Sequence, residues 1–403
     1  MQPWAQVDVP RLPLSSGAPV IYDSQTQSLR ELPTNRSGTL YVCGITPYDA
    51  THMGHAATYV AFDTLIRIWR ASGVEVKYTQ NVTDVDDPLI ERALATGKDW
   101  KDIAVEQTAL FHSDMIALRV IPPQNYVGVV EAMELIEQSV VALLANGLAY
   151  KVDNDYYYDM SKSNMLGEVS HLSPDSMMTI FSERGGDPAR IGKRNPLDPM
   201  LWRARSANDP YWPSQLGAGR PGWHIECSAI ATHYLGKQID VQGGGSDLKF
   251  PHHEMSAAHA QSLTGVSPFA TNFMHAGMVA LDGQKMSKSL GNLVFVSKLR
   301  TSGVDPMAIR LTLLQHHYRS DWEWFASELE LATTKLAMWR RAFNHPQGAR
   351  NVVAELMSIL QQDLDTPSAI ALVDEWVAAT LSGEDSEPTG TMANAVDALL
   401  GII

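Results

Sequence analysis

Residues 39–55 read TLYVCGITPYDATHMGH, and this stretch decides the fold. Its first five residues are β-branched, aromatic or apolar and run into Gly44, the pattern of a buried strand opening into a loop. Over 54–72 apolar residues recur at helical spacing until Gly73 breaks the pattern. Residues 74–81 (VEVKYTQN) then read as a second strand. Strand, loop, helix and strand within about 45 residues make a βαβ unit, which implies a parallel sheet with ligands beyond the carboxyl ends of its strands. The chemistry is therefore expected just after Cys43 and just after Asn81.

Working outward, helical patterns follow over 99–118 and 130–146, before the aromatic, strand-like stretch 148–160. Residues 183–199 are rich in Gly, Pro, Asp and Arg and read as a long loop, of the kind that usually carries function. Helix, strand and helix resume over 222–235, 238–242 and 252–263, and beyond about Pro306 the sequence reads as helical throughout. The expected class is α/β: a Rossmann-like parallel sheet with an inserted α/β region and a helical C-terminal region. Its expected division is 1–120 and 201–305 for the two halves of the nucleotide-binding domain, 121–200 for the insertion and 306–403 for the helical part.

A chain of 403 residues with 45% apolar composition can bury one large core and smaller appended ones. Its 31 basic and 45 acidic side chains give a formal charge of −14, which disfavours loose attraction to nucleic acid. The opening residues lack a basic stretch followed by an apolar one, and no apolar run reaches the roughly 18 residues of a membrane span. A soluble cytoplasmic protein is expected. With only Cys43 and Cys227, no disulfide framework exists; a metal site or buried packing accounts for two widely separated thiols.

In His52-Met53-Gly54-His55, two imidazoles flank a glycine at the mouth of a helix. Helix starts offer unpaired N–H groups and a positive dipole end, so histidines there can hold phosphate; two capping or surface histidines would read the same. Much later comes Lys285-Met286-Ser287-Lys288-Ser289, two lysines bracketing small residues on a Gly-flanked loop. Such a loop can close over ATP and neutralise charge as pyrophosphate leaves, or be merely solvated. As a pair, one motif after an early strand and one after a late strand, they resemble the two signatures of class I aminoacyl-tRNA synthetases. The resemblance implies that His52, His55, Lys285 and Lys288 are catalytic.

A third group of words, GWHIECS at 222–228, GGGSDL at 243–248 and FPHHE at 250–254, resembles cysteinyl-tRNA synthetase and its close relatives along most of the first 320 residues. That resemblance implies zinc on Cys43, Cys227 and His252, with a fourth position open to the substrate thiolate, so that cysteine is selected over serine. It further implies an adenylate pocket lined by Cys43, Gly44, Ile45 and Asn81-Val82-Thr83. Thr46, Thr58 and Trp223 would meet the cysteinyl part, Gly245, Ser246 and Asp247 the adenosine, and Val279 would pack under the adenine. Asp86 and Asp87 read instead as caps of the next helix.

Cysteinyl adenylate has two fates among these relatives, transfer to tRNA or amide formation on an amino sugar. Residues 351–403 hold nine acidic side chains and no Lys or Arg, unlike a surface that holds an anticodon. Only 114 residues follow Ser289. Cysteinyl-tRNA synthetases carry a glutamate four residues after the zinc histidine, where this chain has Ser256. The loop Glu183-Arg184-Gly185-Gly186-Asp187-Pro188 resembles a segment of the mycothiol cysteine ligases and is expected to bind or close over the acceptor. The sequence is thus identified with that ligase family: ATP, with magnesium, and L-cysteine give cysteinyl-AMP, which is joined to glucosaminyl-inositol. A monomer is implied, with no nucleic acid or membrane partner. A cysteinyl-tRNA synthetase is the alternative, and a non-catalytic paralogue a remote one, since a module freed from catalysis needs none of these three motifs.

Overall fold

The structure is a computed structural model that describes residues 1–12, 17–49, 51–207, 209–281, 283–286, 293–383 and 388–403, with only the backbone of Gln284 and Lys285. Five parallel strands form the central sheet, in the order Ala270–Ala276, Ile239–Gly245, Gly38–Val42, Val76–Val82, Asn125–Gly128. The chain starts in the middle of this sheet, at Gly38–Val42, builds one flank, and returns to build the other. Strand order therefore reverses between Gly38–Val42 and Ile239–Gly245, and in open α/β sheets the crevice at such a switch point takes the ligand. Cys43 N donates to Gly243 O across it at 3.0 Å.

The helix Met53–Ala71 lies on one face of the sheet and is buried along most of its length. Phe62 fits because Gly243 has no side chain: a Cβ there would lie 2.3 Å from the ring. On this face the sheet shares a core with the C-terminal helices Ala326–Phe343, Val353–Gln361, Thr366–Ser382 and Thr389–Leu400. Asp63 and Arg67 pair at 2.7 Å with no solvent exposure, and Arg310 also engages Asp63. Arg67 donates to the carbonyls of Asp397 and Ala398, and Arg310 to that of Leu400, so three buried charges tie the last helix to the Met53–Ala71 helix.

The other face supports a second core shared with the helices Met133–Ala145, Trp223–Leu235 and Glu254–Thr264. Beside it, Ala149–Val152, Asp155–Tyr158, Met200–Ala204 and Gly219–Pro221 form an antiparallel sheet. Residues 125–128 belong to the central sheet, while 200–204 and 219–221 belong to the antiparallel one. Three helices lie outside the expected helical stretches, Asp87–Thr96, which opens at the acidic cap read at Asp86, Pro174–Glu183 and Val296–Thr301. Among the described residues after Pro306 the regular structure is helical apart from the two-residue strand Trp322–Glu323, which pairs with Val279–Leu281.

Candidate active site

Cys43 follows the Gly38–Val42 strand, Cys227 sits in the second turn of the Trp223–Leu235 helix, and His252 lies in the kinked turn before Glu254–Thr264. The fold brings their side chains together: all three are buried, with ligand atoms within 4.8 Å of one another. The sulfurs stand 3.9 Å apart and His252 Nε2 is 3.2 Å from Cys227 Sγ. Two thiolates bound to one tetrahedral ion at about 2.3 Å each would stand about 3.8 Å apart, so the donor set fits zinc in both chemistry and spacing. Burial opposes a thiolate at either sulfur. At Cys227 the Cys43 S–H and the adjacent His252 outweigh it and hold the thiol well below its usual range, whereas Cys43 is pushed well above it.

Ser256, which stands where cysteinyl-tRNA synthetases carry a glutamate, is spent elsewhere, in keeping with a set of three donors: its Oγ is 2.6 Å from the His252 carbonyl and 3.2 Å from that of His224. Glu254 is structural too, its carboxylate accepting the N–H groups of Gly167, Val169 and Ser170. Around the three donors stand histidines whose contacts with them sequence reasoning did not foresee. His253 Nε2 is 3.3 Å from Cys43 Sγ, His253 Nδ1 is 2.8 Å from His275 Nε2, and His275 Nδ1 is 2.8 Å from Ser24 Oγ. On the other side His224 Nδ1 is 3.0 Å from His252 Nδ1. Burial holds His224, His253 and His275 well below the usual range, so each is a neutral imidazole. Nothing in the local sequence pairs His275 with His253; the contact exists because neighbouring elements meet at one sheet edge.

The backbone after Cys43 is held by Asn81, whose Oδ1 accepts from Gly44 N at 2.9 Å and from Tyr41 Oη at 3.1 Å. Gly44 permits this approach, since a Cβ there would lie 1.6 Å from Asn81 O. Thr83 N bonds Ile45 O, and Thr83 Oγ1 accepts from Asn81 Nδ2, which fixes the buried Val82 between them. Trp223 stacks on His252 with centroids 4.2 Å apart. Gly245 ends its strand and Ser246 and Asp247 form the short turn after it, at the same switch point. Val279 is buried on the strand leading to the lysine motif.

His52 caps the Met53–Ala71 helix, its Nδ1 accepting from Gly54 N at 3.1 Å, and its ring stacks on His55 at 3.8 Å. Thr58 Oγ1 turns back to Gly54 O. The backbone of Lys285 pairs with Ala280; Ser287, Lys288 and Ser289 lie outside the described residues. Just beyond them, Met53 N bonds Val294 O and Val296 N bonds Thr51 O, which joins the chain after the lysine motif to the histidine motif.

From Thr46, Trp223 and His224 a cavity of about 550 Å³ runs outward, lined on one side by Glu183 to Asp187 and on another by Asp86, Asp87, Arg203 and Arg220. Pro188 is not among its lining residues. Arg184 does not point into open space: its guanidinium donates to the carbonyls of Asp247 and Phe250, so the loop props the turn that carries Asp247 and His252. Asp187 is held by Tyr157 Oη and by Lys193 at 2.8 Å. Asp86 caps the Asp87–Thr96 helix by accepting from Asp87 N at 2.8 Å, as expected, whereas Asp87, also expected to cap, is the first helical residue and its carboxylate is taken by Arg203 and Arg220.

A family model described as the class I (C) tRNA synthetase catalytic domain matches residues 30–334. The chain is 53% identical over 413 residues to a protein of Thermomonospora curvata called L-cysteine:1D-myo-inositol 2-amino-2-deoxy-α-D-glucopyranoside ligase, covering all of both chains. A protein of the same name from Kribbella flavida is 54% identical over 407 residues, again with full coverage of both. Among solved structures, Mycobacterium tuberculosis methionyl-tRNA synthetase with methionyl-adenylate superposes with a TM-score of 0.63 at 15% identity over 91% of this chain and 88% of that one. Agrobacterium radiobacter LeuRS in a tRNA ternary complex gives 0.64 at 11% identity, over 91% and 83%. These last two establish a shared fold.

Proposed function

Because the chain belongs to the class I (C) synthetase family and, within it, to the L-cysteine:1D-myo-inositol 2-amino-2-deoxy-α-D-glucopyranoside ligases, we propose that it activates L-cysteine with ATP and joins it to the amine of that glucosaminyl-inositol, a step of mycothiol biosynthesis. The observation that carries this reading is the full-length identity above half to ligases of that name. The site supports it with a buried two-sulfur, one-nitrogen donor set that opens into a cavity of about 550 Å³.

Cys43, Cys227 and His252 would hold zinc, which when bound binds a thiolate far better than a hydroxyl and so favours cysteine over serine without editing. Trp223, stacked on His252, and Thr46 would enclose the amino acid and exclude water from it. The substrate carboxylate then attacks the α-phosphorus of ATP and pyrophosphate departs with its electron pair. His52 and His55 at the helix mouth, with Lys285 and Lys288, would neutralise the charge that builds on the phosphates, and magnesium would arrive on the nucleotide. In the second half-reaction the acceptor's free amine attacks the activated carbonyl, AMP leaves, and the amine gives up a proton. Asp247 and His224 both line the cavity, but burial beside His252 holds His224 well below the usual imidazole range and makes it a poor acceptor, so Asp247 is the candidate base; Glu226 does not line the cavity.

The cavity wall also favours this acceptor over tRNA. Six carboxylates (Asp86, Asp87, Glu91, Glu183, Asp187, Asp247) face three guanidiniums there, a balance that attracts an amine and repels a phosphodiester. The working unit is taken as a monomer in the cytoplasm, and light scattering on the purified protein tests the monomer; among the described residues no helix is long and apolar enough to cross a membrane. The first half-reaction is tested by ATP–pyrophosphate exchange. Exchange driven by cysteine and not by serine is the expected result, and exchange with both amino acids would remove the selectivity argument.

A further inference from the structure

Arg203 and Arg220 are directly opposite one another on the paired strands Met200–Ala204 and Gly219–Pro221. Like charges in that position repel, and two apolar side chains would close this sheet face at no such cost. Instead Asp87, the first residue of the Asp87–Thr96 helix, reaches across from the central domain and binds both: Arg203 Nη1 lies 2.8 and 3.1 Å from its two oxygens, and Arg220 Nη2 contacts Oδ1. Asp209 stands behind at 4.0 and 3.9 Å from the two guanidiniums. Arg220 is 5% exposed, and among the described residues its Nε has no partner. The carboxylate of Asp87 remains 46% exposed and, with both arginines, forms part of the cavity wall.

We propose that this Arg203–Asp87–Arg220 clamp, with Asp86 beside it, is the subsite for the polyhydroxylated, non-reacting part of the acceptor. The inference rests on the functional reading above and says where in the cavity the inositol goes. A ring of hydroxyls needs donors and acceptors at fixed spacing, and a guanidinium–carboxylate–guanidinium row supplies both in rigid forks. Its two guanidiniums are offset by Asp87 together with Asp209 and the neighbouring Asp86, so the clamp has no unspent cation to offer a phosphate. Its position is also set by the chain: Arg220 is followed by Pro221 and Gly222 and then by Trp223, which stacks on His252. A Cβ at Gly222 would lie 2.0 Å from Met200 O, so the connection is short and closely packed. An acceptor whose amine reaches the cysteinyl carbonyl beside Thr46 and Trp223 therefore extends its other ring towards the clamp. The opposite wall is less suited, because Arg184 and Asp187 are committed to Asp247 O, Phe250 O, Tyr157 and Lys193.

The test uses the full-length protein with Asp87→Asn and, separately, Arg203→Gln, the more exposed partner. Three rates are measured: cysteine-dependent ATP–pyrophosphate exchange, in which the acceptor takes no part, amide formation on glucosaminyl-inositol, and amide formation on glucosamine, which lacks the polyol. The expected result is a KM for glucosaminyl-inositol raised about tenfold or more, the loss of one to two good hydrogen bonds. Exchange should stay within about twofold, and kcat/KM for glucosamine should fall far less than that for glucosaminyl-inositol, least of all in Arg203→Gln. The proposal is overturned by an unchanged acceptor KM in both variants, by an equal loss with glucosamine, or by collapse of exchange in both, which would make the clamp a support of the fold. Wild-type protein that forms no amide with glucosaminyl-inositol would instead defeat the functional reading itself, whatever the variants do.

Discussion

The sulfurs of Cys43 and Cys227 lie 3.9 Å apart although 184 positions separate them in the chain. That distance is nearly twice a disulfide bond and close to the separation of two thiolates on one tetrahedral ion. The whole first half-reaction hangs on this pair, because cysteine has no other feature that separates it so sharply from serine.

Cys227→Ser is therefore expected to lose its zinc, measured by metal analysis of the purified protein. Cysteine-dependent pyrophosphate exchange should fall by more than about 100-fold, more than the loss of an outer partner costs. A variant with normal exchange and no zinc would remove the metal from the account.

His253 acts on the same centre from outside it, with Nε2 3.3 Å from Cys43 Sγ and Nδ1 handed to His275. His253→Leu is expected to weaken zinc retention roughly 10- to 100-fold in competition with a chelator, and His253→Gln, which keeps an N–H, to recover part of it. Equal zinc affinity in all three proteins would make the chain of histidines mere packing.

This histidine relay was not legible in the sequence, while the three donors were. Cys43 stands at a strand end and the GWHIECS and FPHHE words announce Cys227 and His252, whereas His253, His275 and Ser24 meet only because the Ala270–Ala276 strand and the kinked turn pack at one edge. The βαβ start, the strand at 239–245 and the C-terminal helices followed from local periodicity, whereas the outer strands Asn125–Gly128 and Ala270–Ala276 did not. Three helices had no stretch of their own in that reading: Asp86, read as a cap, opens one with Pro88 and Gly97 ends it, Ser173 with Pro174 opens another, and Val296–Thr301 has no side-chain cap to announce it. Arg184 illustrates the limit of reading a loop by resemblance, for its side chain serves backbone carbonyls of the Asp247 turn.

Asp84 links stability to pH. Burial pushes its carboxyl from 3.8 up to about 6, even though Val130 N–H favours the ionised form. The folded state holds this proton more tightly than the unfolded chain, so the group's contribution is full below about pH 4 and is lost as pH rises through about 6. Asp84→Asn keeps an acceptor for Val130 and cannot ionise. Urea denaturation at pH 5 and pH 8 is expected to show the variant gaining on the wild type at the higher pH; a constant difference would mean that Asp84 titrates normally.

Arg310 is wholly buried with Asp63 and Arg67, and burial pulls its guanidinium down to about 10 against the pull of Asp63. Arg310→Leu leaves Asp63 one partner short and frees the Leu400 carbonyl. A loss of about 3–5 kcal/mol in chemical denaturation is expected, as for other broken buried pairs. A loss below about 1 kcal/mol would place the triad with surface ion pairs in weight.

The most direct test of the central claim offers the purified protein ATP and labelled cysteine with either glucosaminyl-inositol or cysteine tRNA, and follows where the label goes. The account requires AMP release and labelled amide with the amino sugar and none on tRNA. Charged tRNA with no amide would contradict it, and would mean that six carboxylates in the cavity wall do not decide the acceptor.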